Sequence, residues 1–251
     1  MPDESNLDQL RGRLYAAYKS THAGVSDLES QAPGFRRDIR PHLPEDRRAR
    51  VLDLGCGQGH YVRQLLALGY EHTRGIDISP EQVQEARASG LTQVSLGDYR
   101  ESLGKAELDV VIATDFLEHL TRLEGMQALD QIRRSLRNGG TLILRVPNAG
   151  SPFSGTLRYG DLTHETSFTA RSLRQLGAAA GFPTIDIYAC TPPVHGATSA
   201  LRAVAWCAIT AVMKVALIVE TGQVHGHVVT QNIVAVMRLD DRRNMPDTPG
   251  R

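Results

Sequence analysis

Residues 51–59 read Val51-Leu52-Asp53-Leu54-Gly55-Cys56-Gly57-Gln58-Gly59. A short apolar run passes directly into a Gly-x-Gly-x-Gly turn, and residues 58–68 then carry helical spacing. Strand, glycine turn and helix form the first unit of an open α/β sheet, in which ligands bind at the carboxyl ends of the strands. Outward from this unit, further strands are expected at 73–78, 94–96, 109–113 and 141–146, with helices at 80–89, 125–137 and 169–180. Ser79 and Thr169 are placed as N-caps, Pro80 suits a first helical position, and Asn138-Gly139-Gly140 reads as a helix stop. Residues 185–189 and 228–239 supply two more strands, in an apparent hairpin. Near-continuous apolar strands separated by helices predict a doubly wound, Rossmann-like α/β sheet.

The composition excludes several classes. Lys+Arg and Asp+Glu each total 28 in 251 residues, so there is no basic excess for a dedicated nucleic-acid binder. The three cysteines, Cys56, Cys190 and Cys207, form no CxxC pair, which removes zinc-ribbon and disulfide-framework readings and favours a reducing compartment. The acidic start MPDESNLDQL lacks a secretory pattern, so the expected location is the cytoplasm. The apolar stretch 201–219 is interrupted by Lys214 and is marginal as a bilayer span, so no transmembrane segment is assigned. Packing against the core or over an acceptor site is the first expectation for it, a homodimer interface the second and a membrane-surface patch the third.

The glycine register identifies the ligand class. A dinucleotide fingerprint is Gly-x-Gly-x-x-Gly, whereas here the third glycine is Gly59 and His60 occupies the dinucleotide position. Asp53 would repel a pyrophosphate but suits a nucleoside bearing a cationic amino-acid tail, a description that S-adenosylmethionine meets. Gly55, Cys56, Gly57 and Gly59 would cradle that tail. Asp77, followed by Ile78, ends the second strand where a carboxylate can accept from ribose hydroxyls, and Asp98, beside Tyr99, can accept the adenine amino group. Asp115 and Phe116 leave the fourth strand beside the methionine portion. A carboxylate at one strand end is usually a helix cap; a series of them at successive ends points to a ligand.

VLDLGCGQG, GIDIS, GDY, DFLEHL and NGGTLILRVPN together resemble the class I S-adenosylmethionine-dependent methyltransferases over residues 49–190 and the last strand. That resemblance implies a seven-stranded, mostly parallel sheet with the last strand antiparallel. The stretches YAAYKSTHAG, VPNAGSP, YGDLTHETSFTARSLRQLGAAAGF and VVTQNIVAVMR are similar to the branch associated with bacterial polysaccharide and glycan biosynthesis. It implies a small saccharide or glycan acceptor. The domain expectation is an N-terminal helical cap or lid at 1–48 and a core at 49–191 and 227–240. A helical insertion at 192–226 then lies near the acceptor, and a disordered tail fills 241–251.

Methyl transfer from a sulfonium needs alignment and, for a hydroxyl acceptor, removal of a proton. Among nine histidines, His164 in Gly-Asp-Leu-Thr-His-Glu is the first candidate base, with Asp161 or Glu165 orienting its ring. His119, after Glu118, is the second. The bland readings are a turn formed by Asp161 and His164, and a helix-start residue at His119. His22 and His195 read as surface and loop histidines. His164-Glu165 does not continue to a zincin motif, and His225-Gly226-His227 is too short a pattern to imply an ion, so no metal is assigned and magnesium is not claimed. The alternatives are a quinone-pathway type O-methyltransferase acting on a phenol and a non-catalytic cofactor-binding module.

Overall fold

The computed structural model describes residues 12–14 and 32–239. Expectations for 1–11, 15–31 and 240–251, including most of the N-terminal helix, His22 and the tail, lie outside the described residues. A π-helical turn at Phe35–Ile39 and a 3-10 turn at Arg40–His42 precede the sheet. The strands are β1 (Val51–Leu54), β2 (Thr73–Asp77), β3 (Val94–Leu96), β4 (Leu108–Thr114), β5 (Leu136–Pro147), β6 (Thr184–Ala189) and β7 (Asn232–Arg238). The helices are α1 (His60–Ala67), α2 (Pro80–Ala88), α3 (Tyr99–Ser102), α4 (Arg122–Ser135), α5 (Ser154–Tyr159), α6 (Ala170–Ala179) and α7 (Ala197–Thr221).

One seven-stranded sheet runs β3-β2-β1-β4-β5-β7-β6. β1 to β5 are parallel, and β7 is antiparallel to both of its neighbours. The last strand thus lies inside the sheet, and β6 takes the edge. Strand order reverses between β1 and β4, which opens a crevice above their carboxyl ends. Both faces are covered, so β1 is buried at all four positions. Leu52, Leu54, Val111, Leu142 and Leu144 pack with Leu129, Ile132 and Leu173 on one face. Val51, Ile112, Ile143 and Val234 pack with Phe35, Ile39, Tyr61 and Leu65 on the other. Full burial of such side chains contributes about 1.5–3 kcal/mol each.

Several boundaries differ from the expectation for physical reasons. α4 begins at Arg122 rather than 125 because Thr121 and Glu124 form a reciprocal capping box. It ends at Ser135, and Asn138-Gly139-Gly140 does not cap it. These residues lie within the range of β5, at a register shift between Leu108 and Val110 of β4, with Gly139 at φ 78°. Ser79 and Thr169 cap α2 and α6 as expected. β7 begins at Asn232 rather than 228. The buried Asn148 amide donates to the carbonyls of Val228 and Thr230 at 2.8 Å each, so that segment bonds to a side chain in place of a ladder.

The largest departure is α7. Packing over an acceptor site or against the core is the first expectation for 201–219; the structure does not bury the helix against the core, since Ser199 is its only buried residue. Trp206 meets Phe153 with ring centroids 6.2 Å apart, but the apolar surface stands outward. Among the described residues α7 alone has the length and composition to cross a membrane. A single crossing conflicts with the topology: β6 ends and β7 begins at the same sheet edge. A 25-residue helix spans about 37 Å, and residues 222–231 would have to return through hydrocarbon with their backbone groups unpaired.

Candidate active site

A cavity of about 690 Å³ occupies the crevice above β1 and β4. Its wall contains Asp53, Gly55, Cys56, Gly57, Asp77, Ile78, Asp98, Tyr99, Asp115, Phe116 and His119. Of the residues expected around the ligand, only Gly59 is absent. It sits behind the wall as the N-cap of α1 with φ 75°, where a Cβ would lie 2.8 Å from Leu91 Cδ1 and 2.9 Å from Val94 Cγ2. Its glycine is needed for backbone conformation and packing. A Cβ on Gly55 would approach the Phe116 ring at 3.3 Å. The described turn at residues 12–14 contributes Gly12 to the same wall.

The carboxylates differ in their surroundings. Asp77 is half pinned by the fold: its Oδ2 accepts from the Gly57 N–H at 2.7 Å and its Oδ1 from the Ser79 N–H at 2.8 Å. The glycine turn and the start of α2 are thereby tied to one side chain. Burial raises the Asp77 pKa, and the two N–H donors oppose that rise. Asp53 is 2% exposed and has no basic partner among the described residues. Burial, and then the Asp77 charge, push its pKa up to about 7. An unpaired carboxylate buried at a cavity wall is a ready acceptor for a cationic group. Asp98 caps α3 and pairs with Arg100 at 3.0 Å. Asp115, with φ 52°, is ion-paired to Arg145. Tyr99 and Phe116 meet edge to face, 5.6 Å between centroids.

At the other end of the cavity two imidazoles come together. The rings of His119 and His164 lie 4.8 Å apart at 66°. Backbone bonds hold the two segments in register, since the N–H groups of Glu165 and Thr166 both donate to the carbonyl of Glu118, at 2.8 and 3.0 Å. The His164 ring is held at Nδ1, which donates to the carbonyl of Leu157 at 2.8 Å. Asp161 is 3.8 Å from Nε2 of His164. Its other oxygen, Oδ1, accepts from the Thr163 hydroxyl at 2.6 Å, and that hydroxyl contacts Nδ1 of His119 at 2.8 Å. Burial, then the neighbouring His164, lower the His119 pKa to about 4. His119 lies on the cavity wall, with the His164 ring packed against it.

Sequence reasoning passed over Glu118 and Thr163. Glu118 is 1% exposed, and burial followed by the Asp115 charge raises its pKa well above the carboxylate range. The Leu-Glu-His triplet was visible, but the return of residues 163–166 against it is a tertiary contact without local signature.

A doubly wound sheet with a glycine turn, acidic strand ends and this crevice defines a nucleoside-cofactor transferase of the methyltransferase type. The methyltransferase domain model matches residues 28–187, and the chain belongs to that family. An O-methyltransferase, cnsE, of Penicillium expansum is 28% identical over 195 residues, covering 73% of this chain and 70% of its own. A ubiquinone biosynthesis O-methyltransferase of Xanthomonas oryzae is 36% identical over 107 residues, covering 40% of this chain and 44% of its own. A solved S-adenosylmethionine-dependent methyltransferase from Archaeoglobus fulgidus shares the fold, with TM-score 0.64, 19% identity and coverage of 94% of this chain and 100% of that one. The chain is an S-adenosylmethionine-dependent methyltransferase.

Proposed function

We propose that the enzyme O-methylates a hydroxyl of a small acceptor, a saccharide unit of a glycan under assembly. The observation that carries the hydroxyl chemistry is the His119–His164 pair at the end of the cavity, backed by Thr163 and Asp161. In this reading Asp53 takes the ammonium of the cofactor, Asp77 its ribose hydroxyls and Asp98 its adenine amino group. Tyr99, Phe116 and Ile78 cover the base, and Gly55, Cys56, Gly57 and Asp115 border the methionine portion. When bound, S-adenosylmethionine supplies the methyl group and a neutral thioether leaving group. His164 removes the acceptor proton at Nε2, because Nδ1 already donates to Leu157. Residues 1–48 serve as lid, which Gly12 in the wall supports, and 192–226 border the acceptor entrance. The three cysteines are free thiols, consistent with work in the cytoplasm. Two copies joined through residues 201–219 belong to this reading, and a monomer by light scattering would remove that part.

The test is methyl incorporation from labelled cofactor into saccharides and phenols side by side. His164→Ala is expected to lower turnover by about a hundredfold or more while leaving S-adenosylhomocysteine affinity within about twofold. Undiminished turnover would refute the base. The match to a ubiquinone biosynthesis O-methyltransferase favours a phenol acceptor as the second reading, and label in phenols alone would select it.

A further inference from the structure

We propose that Glu118, His119 and His164 form a binding site for one divalent first-row transition ion, zinc being the ion the donor set fits best. One ligand atom from each residue lies within 4.8 Å of the others. Bonds of about 2.0–2.2 Å to a tetrahedral ion place donors about 3.5 Å apart, so side-chain rotations closing roughly 1 Å complete the site. Two imidazoles and one carboxylate with an open fourth position is the ligand set of catalytic zinc. All-oxygen cations such as magnesium and calcium are poorly served by it.

Two independent observations point to a cation here. The Glu118 carboxylate is buried, yet neither of its oxygens has a hydrogen-bond partner. A buried carboxylate without a hydrogen-bond donor is costly, and a fold retains one where a cation sits. The imidazoles are held in the manner of metal ligands, by their other nitrogen. His164 donates from Nδ1 to the Leu157 carbonyl. The Thr163 hydroxyl gives its hydrogen to Asp161, so its oxygen accepts from Nδ1 of His119. On both rings the basic nitrogen is therefore Nε2.

Binding of the ion does not depend on the function proposed above, but its role does. His119 lies on the cavity wall, so an ion held there would adjoin the cavity and could take an acceptor oxygen as its fourth ligand. A hydroxyl coordinated there is more acidic. Its proton passes to Asp161 and on to water, the oxygen lone pair forms the new C–O bond, and the C–S bond breaks with its pair remaining on sulfur. With the ion in place His164 acts as ligand rather than base.

The experiment uses the full, tag-free chain, stripped with chelator and titrated with Zn²⁺ against a chromogenic competitor. One zinc per chain is expected. Glu118→Gln should weaken binding roughly a hundredfold or more, beyond what loss of an outer-sphere partner costs. His227→Ala, in the His-Gly-His stretch after α7, should leave it unchanged. Because Glu118→Gln keeps the size and shape of the side chain, the stripped variant should melt close to the wild type and keep its S-adenosylhomocysteine affinity, which separates lost ligation from misfolding. No zinc retained, equal retention by Glu118→Gln, or loss in His227→Ala overturns the site. Full methyl transfer to a hydroxyl by stripped protein, with His164→Ala inactive, overturns the ion and keeps the base. Bound zinc without transfer to any hydroxyl keeps the site and removes the function.

Discussion

Asp53 couples cofactor affinity to pH, in a direction that can be worked out beforehand. Its carboxyl, raised to about 7 by burial and by Asp77, holds a proton in the ligand-free fold below neutrality. A cationic ammonium binds the ionised form, so association must expel that proton at low pH. Affinity should then fall about tenfold from pH 8 to pH 6 and change little above pH 7.5. S-adenosylhomocysteine is the proper probe, because its ammonium is its only cation, and titration calorimetry across that range is the assay. Asp53→Asn should weaken binding by roughly 10- to 100-fold at pH 8, from the loss of a charged hydrogen bond of about 1.5–3 kcal/mol, and flatten the profile. Stability should move oppositely. The folded pKa lies above the unfolded one, so stability falls as pH rises from about 4 to about 7 and stays reduced above. Three pKa units correspond to at most about 4 kcal/mol, and relaxation with water in the cleft leaves about 2 kcal/mol. Ligand-free Asp53→Asn should therefore melt about 4–8 °C higher at pH 8. Equal affinity at pH 6 and pH 8, with Asp53→Asn binding like wild type, would refute the assignment of Asp53 to the ammonium.

Other perturbations test the supporting structure. Gly59→Ala should cost about 2–4 kcal/mol, from positive φ and contact with Leu91 and Val94. Gly57→Ala, whose Cβ meets only Gln82 at 3.9 Å, should cost about 1 kcal/mol, and denaturant melts showing the reverse order would contradict this geometry. Asn148→Ala strands the carbonyls of Val228 and Thr230 and the N–H of Gly150, a loss of about 3 kcal/mol by urea unfolding. In native protein at pH 8, Cys207 alone should react promptly with a thiol reagent. Burial pushes the Cys190 thiol up to about 12 and raises Cys56 as well, and all three should react in denaturant.

The core was legible because each strand-to-helix junction carries local chemistry: Gly55 to Gly59 for the turn, Ser79-Pro80 for α2 and Thr169 for α6. The cavity wall followed, since residues at carboxyl strand ends converge in any doubly wound sheet. What escaped notice depends on contacts distant in sequence. Asn148 shortens β7 from more than 80 positions away. Thr163 meets His119, and residues 165–166 meet Glu118, only when the loop after α5 folds back. The start of α4 was readable from Thr121 and Glu124 and was overlooked, whereas the exposure of α7 runs against its apolar composition and no residue pattern announces it.

The position of β7 between β5 and β6 has a consequence for how the enzyme is made. On the ribosome β6 emerges before β7, the one strand it bonds to among the described residues, so two sheet edges stand open until about 50 more residues appear. At about 5–20 residues per second that interval lasts roughly 3–10 s, and the greasy stretch of α7 is born within it. Open edges invite pairing with other chains, so the nascent polypeptide is most in need of a protecting chaperone just before its final strand arrives.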